Sequence, residues 1–136
     1  MNSKALLTAS SGVLGAAGLA ATFAPVELLA ASHLPAAQPL PVLIQLLGAL
    51  YLGFAMANWT AKGSLIGGIY ARPLSLANSV HFTVGALALA KAASAGGAPW
   101  PLLTATAVYA VFAALFGYLV FGRGAACVAE PLDGQR

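Results

Sequence analysis

The side chains of this sequence that could carry chemistry are concentrated between Asn58 and Phe82, in a chain whose flanks are almost entirely apolar. That stretch contains Asn58, Arg72, Asn78 and His81, and His81 lies well inside an apolar run. An imidazole can transfer a proton, ligate a metal or share a hydrogen bond, and an amide can both donate and accept. Because a polar group buried away from water needs a partner, these four residues predict either a ligand site or an interhelical polar cluster.

The spacing of these residues favours the polar cluster. Asn78 and His81 are three positions apart and therefore share one face of a helix. Asn58 ends the preceding apolar run and would meet both side chains if the two runs are antiparallel neighbours. We expect a hydrogen-bonded clasp between these runs. A ligand-binding or proton-handling role for His81 stays open, since an ionisable group inside a membrane span is a candidate functional site.

A further hypothesis makes His81 an axial ligand of a haem or a chlorophyll-type pigment. Two histidines of one chain would not share a haem, because His33 is predicted on the opposite side of the membrane, but a symmetric dimer could pair two copies of His81. No His/Glu pair falls on one helix, and the single cysteine, Cys127, excludes a Cys-rich metal site. Apart from the pigment or haem alternative, we predict no metal and no cofactor.

A glycine-rich segment, "KGSLIGGIYARP", precedes the run that contains His81. Exposed backbone N–H groups beside cations can hold a phosphate or an anionic headgroup. We expect Lys62, Tyr70 and Arg72 to anchor this segment to anionic lipid, or to act simply as the charged and aromatic flanks of a turn. The segment lacks the spacing of a Walker loop, and no strand precedes it.

The sequence contains no recognisable catalytic set. No nucleophile, base and acid stand together, no Cys-x-x-Cys is present, and no carboxylate falls within an apolar run. We therefore predict that the protein is not an enzyme.

The composition indicates that most of the chain lies in lipid rather than in water. Of 136 residues, 60% are hydrophobic and 7% are charged, whereas an ordinary soluble domain carries roughly 25% charged residues. Six Lys/Arg and three Asp/Glu cannot cover a soluble protein of this size. The net charge of +3 comes from single cations spaced between apolar runs, so it does not predict nucleic-acid binding.

Four apolar runs are long enough to cross the roughly 30 Å of a bilayer core as helices. They cover residues 5–24, 40–57, 74–93 and 100–121. We predict an all-α fold, an integral membrane four-helix bundle forming one domain over 1–136, with a cytoplasmic loop at 58–73 and a short tail at 124–136. The first run also resembles a secretory signal peptide, but Pro25 follows it and disfavours cleavage.

Small residues within the runs predict the helix contacts, because membrane helices associate where small side chains let their backbones approach. In the first run these are Gly12, Gly15 and Gly18, with Ser11 and Ala16. In the second we expect Ala49, Gly53 and Ala57, at a spacing of four and with Gln45 continuing the row, to form the contact face. A short helix near residues 26–34 is also predicted, lying at the outer surface.

The positions of the charges predict the orientation. With four spans, five of the six cations fall on one side: Lys4, Lys62, Arg72, Arg123 and Arg136. Since cytoplasmic segments are enriched in Lys and Arg, both termini and the 58–73 loop are predicted to be cytoplasmic. Lys91 is the exception, and its long side chain can extend outward from the helix end.

The stretch from Gln45 to Lys91, about a third of the chain, resembles a group of small bacterial four-span membrane proteins that are similar to the DoxX-like proteins. The residues that carry the resemblance are Asn58-Trp59, Gly67-Gly68-Ile69-Tyr70, Arg72-Pro73, Asn78 and His81-Phe82. The resemblance implies a four-helix inner-membrane protein. It implies no particular reaction, although DoxX itself has been linked to quinone-associated oxidoreductase complexes.

These observations predict a small multi-pass protein of the bacterial inner membrane that contacts lipid and other membrane subunits or copies of itself. The leading hypothesis is a non-enzymatic accessory or oligomerising subunit of a larger assembly. One alternative is a dimeric binder or carrier of a hydrophobic or anionic small molecule. Another, implied by the resemblance, is a DoxX-like redox accessory protein.

Overall fold

The computed structural model describes residues 3–32, 34–63 and 71–122, which form helices and short connections without a strand. This confirms the all-α prediction for the described residues. In chain order their α-helices are α1 (Ser3–Phe23), α2 (Pro25–Ala31), α3 (Leu40–Ala61), α4 (Ala71–Ser94) and α5 (Trp100–Gly117), and α5 continues as a π-helical turn over Tyr118–Gly122.

Four helical segments are long and apolar enough to cross a membrane: Ser3–Phe23, Leu40–Ala61, Arg72–Ser94 and Trp100–Gly122. Their length and composition indicate a multi-pass membrane protein. A helix suits this solvent because lipid offers no hydrogen bonds, so every backbone N–H and C=O must be satisfied within the segment. The short helix predicted at 26–34 is present as α2.

The helices extend into the stretch predicted as the 58–73 loop. α3 continues to Ala61, and the Thr60 hydroxyl donates to two carbonyls of the turn before it. α4 already begins at Ala71, so Pro73 lies in its first turn. Proline is tolerated there because the first-turn N–H groups have no intrahelical acceptor. The helical hydrogen bonds therefore continue past the point where the apolar pattern stops.

The chain divides into two compact units, Met1–Ser64 and Leu65–Arg136. The first contains α1, α2 and α3, and the second contains α4, α5 and the π-helical turn. Each unit contains one antiparallel pair of long helices. The prediction of a single bundle concerns how the units assemble, and it stays a prediction.

Packing in the first unit depends on a close approach of α1 and α3 at Gly18 and Gly48. A Cβ atom on Gly48 would lie 2.7 Å from the Thr22 backbone nitrogen and 2.9 Å from the Gly18 carbonyl oxygen. A Cβ atom on Gly18 would lie 2.9 Å from the Gly48 carbonyl oxygen. These separations are shorter than side chains permit, so the two backbones meet at a distance that only glycine allows.

The contact face of α3 differs from the predicted one. Gly53 is exposed, and a Cβ atom on it would meet nothing within 4 Å. The buried positions are instead Pro41, Gly48, Ala55 and Asn58, the first three of which recur every seventh residue. A seven-residue recurrence keeps one stripe on the partner helix along an antiparallel pair, as in coiled coils.

Packing in the second unit is aromatic. Phe82 of α4 is fully buried, and its ring centroid lies 4.8 Å from that of Phe112 and 5.7 Å from that of Phe116 on α5. The ring of Tyr109 meets Phe82 edge-on, with 5.2 Å between centroids. A Cβ atom on Gly85 would lie 2.5 Å from the Tyr109 ring. The ring can therefore pack this closely against α4 only because Gly85 has no side chain.

Candidate functional site

The first unit contains a buried polar cluster between α1 and the end of α3. The Asn58 amide donates to the Ser10 hydroxyl oxygen at 3.1 Å, and the Ser10 hydroxyl donates to the Leu7 carbonyl at 3.1 Å. Beside them, the Ser11 hydroxyl donates to the Ala55 carbonyl at 2.8 Å. All three polar side chains are buried. Together these bonds fix the register of α1 against α3.

Polar groups also meet at the opposite end of this helix pair. The Gln45 amide donates to the Thr22 carbonyl at 3.4 Å. Within the described part of the chain, the buried Thr22 hydroxyl has no hydrogen-bond partner. It lies beside Gly48, where the backbones are in contact. This end of the pair is therefore held mainly by close packing.

In the second unit, α4 carries the amide and the imidazole that the sequence singles out. Asn78 is fully buried and donates to the Leu74 carbonyl at 2.9 Å, one turn earlier. His81 is half-buried, and its Nε2 lies 3.5 Å from the Tyr109 hydroxyl oxygen. Which of the two atoms donates depends on the imidazole tautomer. The histidine thus contacts α5 through a polar atom next to the aromatic stack.

The two cationic residues of the predicted lipid anchor that the structure describes occupy helix ends. Arg72 is exposed in the first turn of α4. Lys62 directly follows α3, and its Nζ lies 2.6 Å from the centroid of the Trp59 ring. Partial desolvation lowers the pKa of the Lys62 ammonium, and the positive charge of Lys4 lowers it further. Tyr70 lies outside the described residues.

The four residues of the predicted polar cluster are thus placed differently. Asn78 and His81 lie one turn apart on α4, whereas Asn58 bonds to Ser10 within the first unit. Arg72 is exposed at the start of α4. The predicted clasp between Asn58 and the α4 residues stays a prediction.

Sequence reasoning missed the two serines of α1 as hydrogen-bonding residues. In an Ala- and Gly-rich helix, Ser10 and Ser11 resemble the other small packing residues. The signal that could have revealed them is their position, because they lie on the same side of α1 as Leu14 and Gly18, which are also buried. Sequence reasoning also did not identify Tyr109 as a neighbour of His81.

Among the described residues, no group of three or more His, Cys, Asp or Glu side chains could hold a metal ion. His33 and Cys127 lie outside the described residues. Axial ligation of a haem or pigment by His81 stays a prediction.

Replacing Asn58 with leucine is expected to lower the free energy of unfolding by about 1 kcal/mol, the typical worth of an interhelical hydrogen bond in a membrane protein. The loss is limited because the Ser10 hydroxyl keeps its bond to the Leu7 carbonyl. Unfolding in mixed detergent micelles would measure it. Thr60→Val is the matched control, since the Thr60 hydroxyl bonds only to carbonyls of its own helix. Equal losses for both variants would contradict a role for Asn58 between helices.

What this arrangement offers chemically is hydrogen bonding and close packing between paired helices. The buried side chains of Ser10, Ser11, Asn58 and Asn78 bond to backbone carbonyls or to each other. Searches with this chain found no matching protein-family model, no matching curated protein and no matching solved structure. The resemblance to DoxX-like proteins therefore depends only on the residues quoted for it.

Proposed function

We propose that this protein is a small integral protein of the bacterial inner membrane that acts as a non-enzymatic accessory or oligomerising subunit of a larger membrane assembly. Four helices of spanning length and apolar composition support its membrane location. The bias of the cations supports an orientation with both termini in the cytoplasm. Its partners would be lipid, other membrane subunits or further copies of the chain.

The observation that carries this proposal is the contrast between the inner and outer faces of the helices. On α3, Leu43, Leu46 and Leu50 recur at helical spacing and are 56%, 63% and 53% exposed. On α4, Val80 and Val84 are 56% and 60% exposed. Lipid solvates such faces as well as another helix would, so they are available to either.

The hydrogen bonds that the buried polar groups make to backbone carbonyls support a role in helix contacts rather than in catalysis. The Ser11 hydroxyl donates to a carbonyl of the neighbouring helix, and the Asn78 amide donates to a carbonyl of its own helix. A hydroxyl that acts as a nucleophile needs an adjacent base instead. Hydrogen bonds of this kind hold helices together in lipid, where the hydrophobic effect does not.

A second candidate function is a dimeric binder or carrier of a hydrophobic or anionic small molecule. It is favoured by one observation, the half-buried His81 whose Nε2 lies near the Tyr109 hydroxyl. A polar pair at the edge of an apolar stack could orient a hydrophobic molecule with one hydrogen-bonding group. Absorption spectra and mass spectra of the purified protein would detect such a molecule, including a haem, a pigment or a redox cofactor.

Photo-crosslinking in intact membranes tests the subunit proposal. A photoreactive amino acid placed at Leu46 or Val84 would point away from the helix pair that contains it, because both side chains are largely exposed. We expect discrete adducts with a second polypeptide, identified by mass spectrometry and lost after dilution into excess detergent. Adducts with lipid alone from both positions would contradict the proposal.

A further inference from the structure

A cationic and aromatic group lies at one end of the α1–α3 pair. The Asn58–Ser10 hydrogen bond brings the beginning of α1 to the end of α3. Lys4 precedes Ser10 by six positions and Lys62 follows Asn58 by four. The two lysines therefore emerge at the same end of this helix pair, in the first unit.

Trp59 adds an aromatic surface to the two charges. The Lys62 Nζ lies 2.6 Å from the centroid of the Trp59 ring, and the Trp59 side chain is 50% exposed. An ammonium over an indole face is a favourable cation–π arrangement. Half-exposed tryptophans are typical of the headgroup region, where one end of the ring is in lipid and the other in water.

Because both ammonium groups lie at the same end of the helix pair, their charges repel each other. Partial desolvation lowers the pKa of the Lys62 ammonium, and the positive charge of Lys4 lowers it further. Like charges repel, and an anion that contacts both removes the repulsion. A phosphate suits this role because its oxygens accept charge-assisted hydrogen bonds from several ammonium donors.

We propose that Lys4 and Lys62, with Trp59 beside them, bind the phosphate of an anionic phospholipid at the membrane surface. The apolar lengths of α1 and α3 would lie alongside its acyl chains, which a free phosphate lacks. The proposal requires α1 and α3 to cross the bilayer. It does not depend on the accessory-subunit role, so its failure would leave that role untouched.

Tryptophan fluorescence of the purified full-length protein tests the site. A Trp100→Phe background leaves Trp59 as the single tryptophan, since the chain has two. Phosphatidylglycerol added to neutral detergent micelles is expected to change the Trp59 emission saturably, whereas phosphatidylcholine is not. Inorganic phosphate is the third probe. If it produced the same change at equal concentration, the site would belong to a soluble anion and the lipid assignment would be overturned.

Single charge removals provide the decisive comparison. In this background, Lys4→Gln or Lys62→Gln is expected to weaken phosphatidylglycerol binding about fivefold, the effect of one cation at a membrane surface. Lys91→Gln removes the same charge from the end of α4, in the second unit, and is expected to leave binding unchanged. Equal affinities for the three variants would overturn the proposal. Native mass spectrometry, which counts lipids retained on each variant, provides an independent readout.

Discussion

Replacing Gly48 with alanine is expected to lower the free energy of unfolding by about 3 kcal/mol, the upper part of the usual range for overpacked sites. The added methyl group would lie 2.7 Å from the Thr22 nitrogen and 2.9 Å from the Gly18 carbonyl oxygen. Both are backbone atoms and cannot rotate away, so α1 and α3 would have to separate. The separation would also weaken the Ser11–Ala55 hydrogen bond, which spans the same two helices.

Gly53→Ala is the matched control for this variant, because it makes the same change in the same helix. A Cβ atom on Gly53 would meet nothing within 4 Å. Alanine is the better helix former, so this variant is expected to be unchanged or more stable by up to about 1 kcal/mol. Chemical unfolding in mixed micelles, followed by circular dichroism, would measure both. Equal stabilities for Gly48→Ala and Gly53→Ala would contradict the close approach.

Replacing Phe82 with alanine is expected to be comparably damaging, with a loss of about 3 kcal/mol. Lipid takes the place of water here, so the loss comes from dispersion contacts, the residual cavity and the aromatic pairs. The Phe82 ring is fully buried and contacts Phe112, Phe116 and Tyr109. Its removal would leave the centre of the α4–α5 contact without its largest side chain.

Val84→Ala is the control for Phe82→Ala. Val84 lies two positions further along α4 and is 60% exposed, so its truncation is expected to change the free energy of unfolding by less than about 0.5 kcal/mol. A second readout is the near-ultraviolet circular dichroism of the aromatic stack, expected to fall for Phe82→Ala alone. Similar losses for the two variants would contradict the role assigned to the stack.

The helices themselves could be predicted from the sequence because their cause is local. A run of about 20 apolar residues forms a helix in lipid whichever segments pack against it. The start of α4 was harder to predict. The polar residues near Pro73 interrupt the apolar pattern, yet a proline does not prevent a helix from starting just before it.

The contact face of α3 could not be predicted in the same way, because Gly48 and Gly53 look alike in the sequence. A spacing of four among Ala49, Gly53 and Ala57 is the expected mark of a contact face, but Gly53 is exposed. The face that contacts α1 is instead the one on which Gly48 meets Gly18. Such a match depends on the relative register of two helices, which hydropathy does not encode.

The hydrogen-bond partners of the polar residues were the least predictable part of the candidate site. Asn58 was expected to need a partner, and it has one in Ser10, which precedes it by 48 residues in the sequence. Serine is common in membrane helices both as a small packing residue and as a donor, so its type alone does not distinguish the two roles. For His81, the small Gly85 one turn later allows Tyr109 to approach α4.

We propose that the chain crosses the bilayer four times with both ends in the cytoplasm, and the accessibility of single cysteines would test this topology. In a Cys127→Ser background, single cysteines at Ala36, Gly63 and Ala95 would report on the three connections between the long helices. With a membrane-impermeant maleimide on spheroplasts, we predict labelling at Ala36→Cys and Ala95→Cys, and labelling at Gly63→Cys only after lysis. Labelling of Gly63→Cys in intact spheroplasts, or recovery of the chain in the soluble fraction without detergent, would contradict the claim.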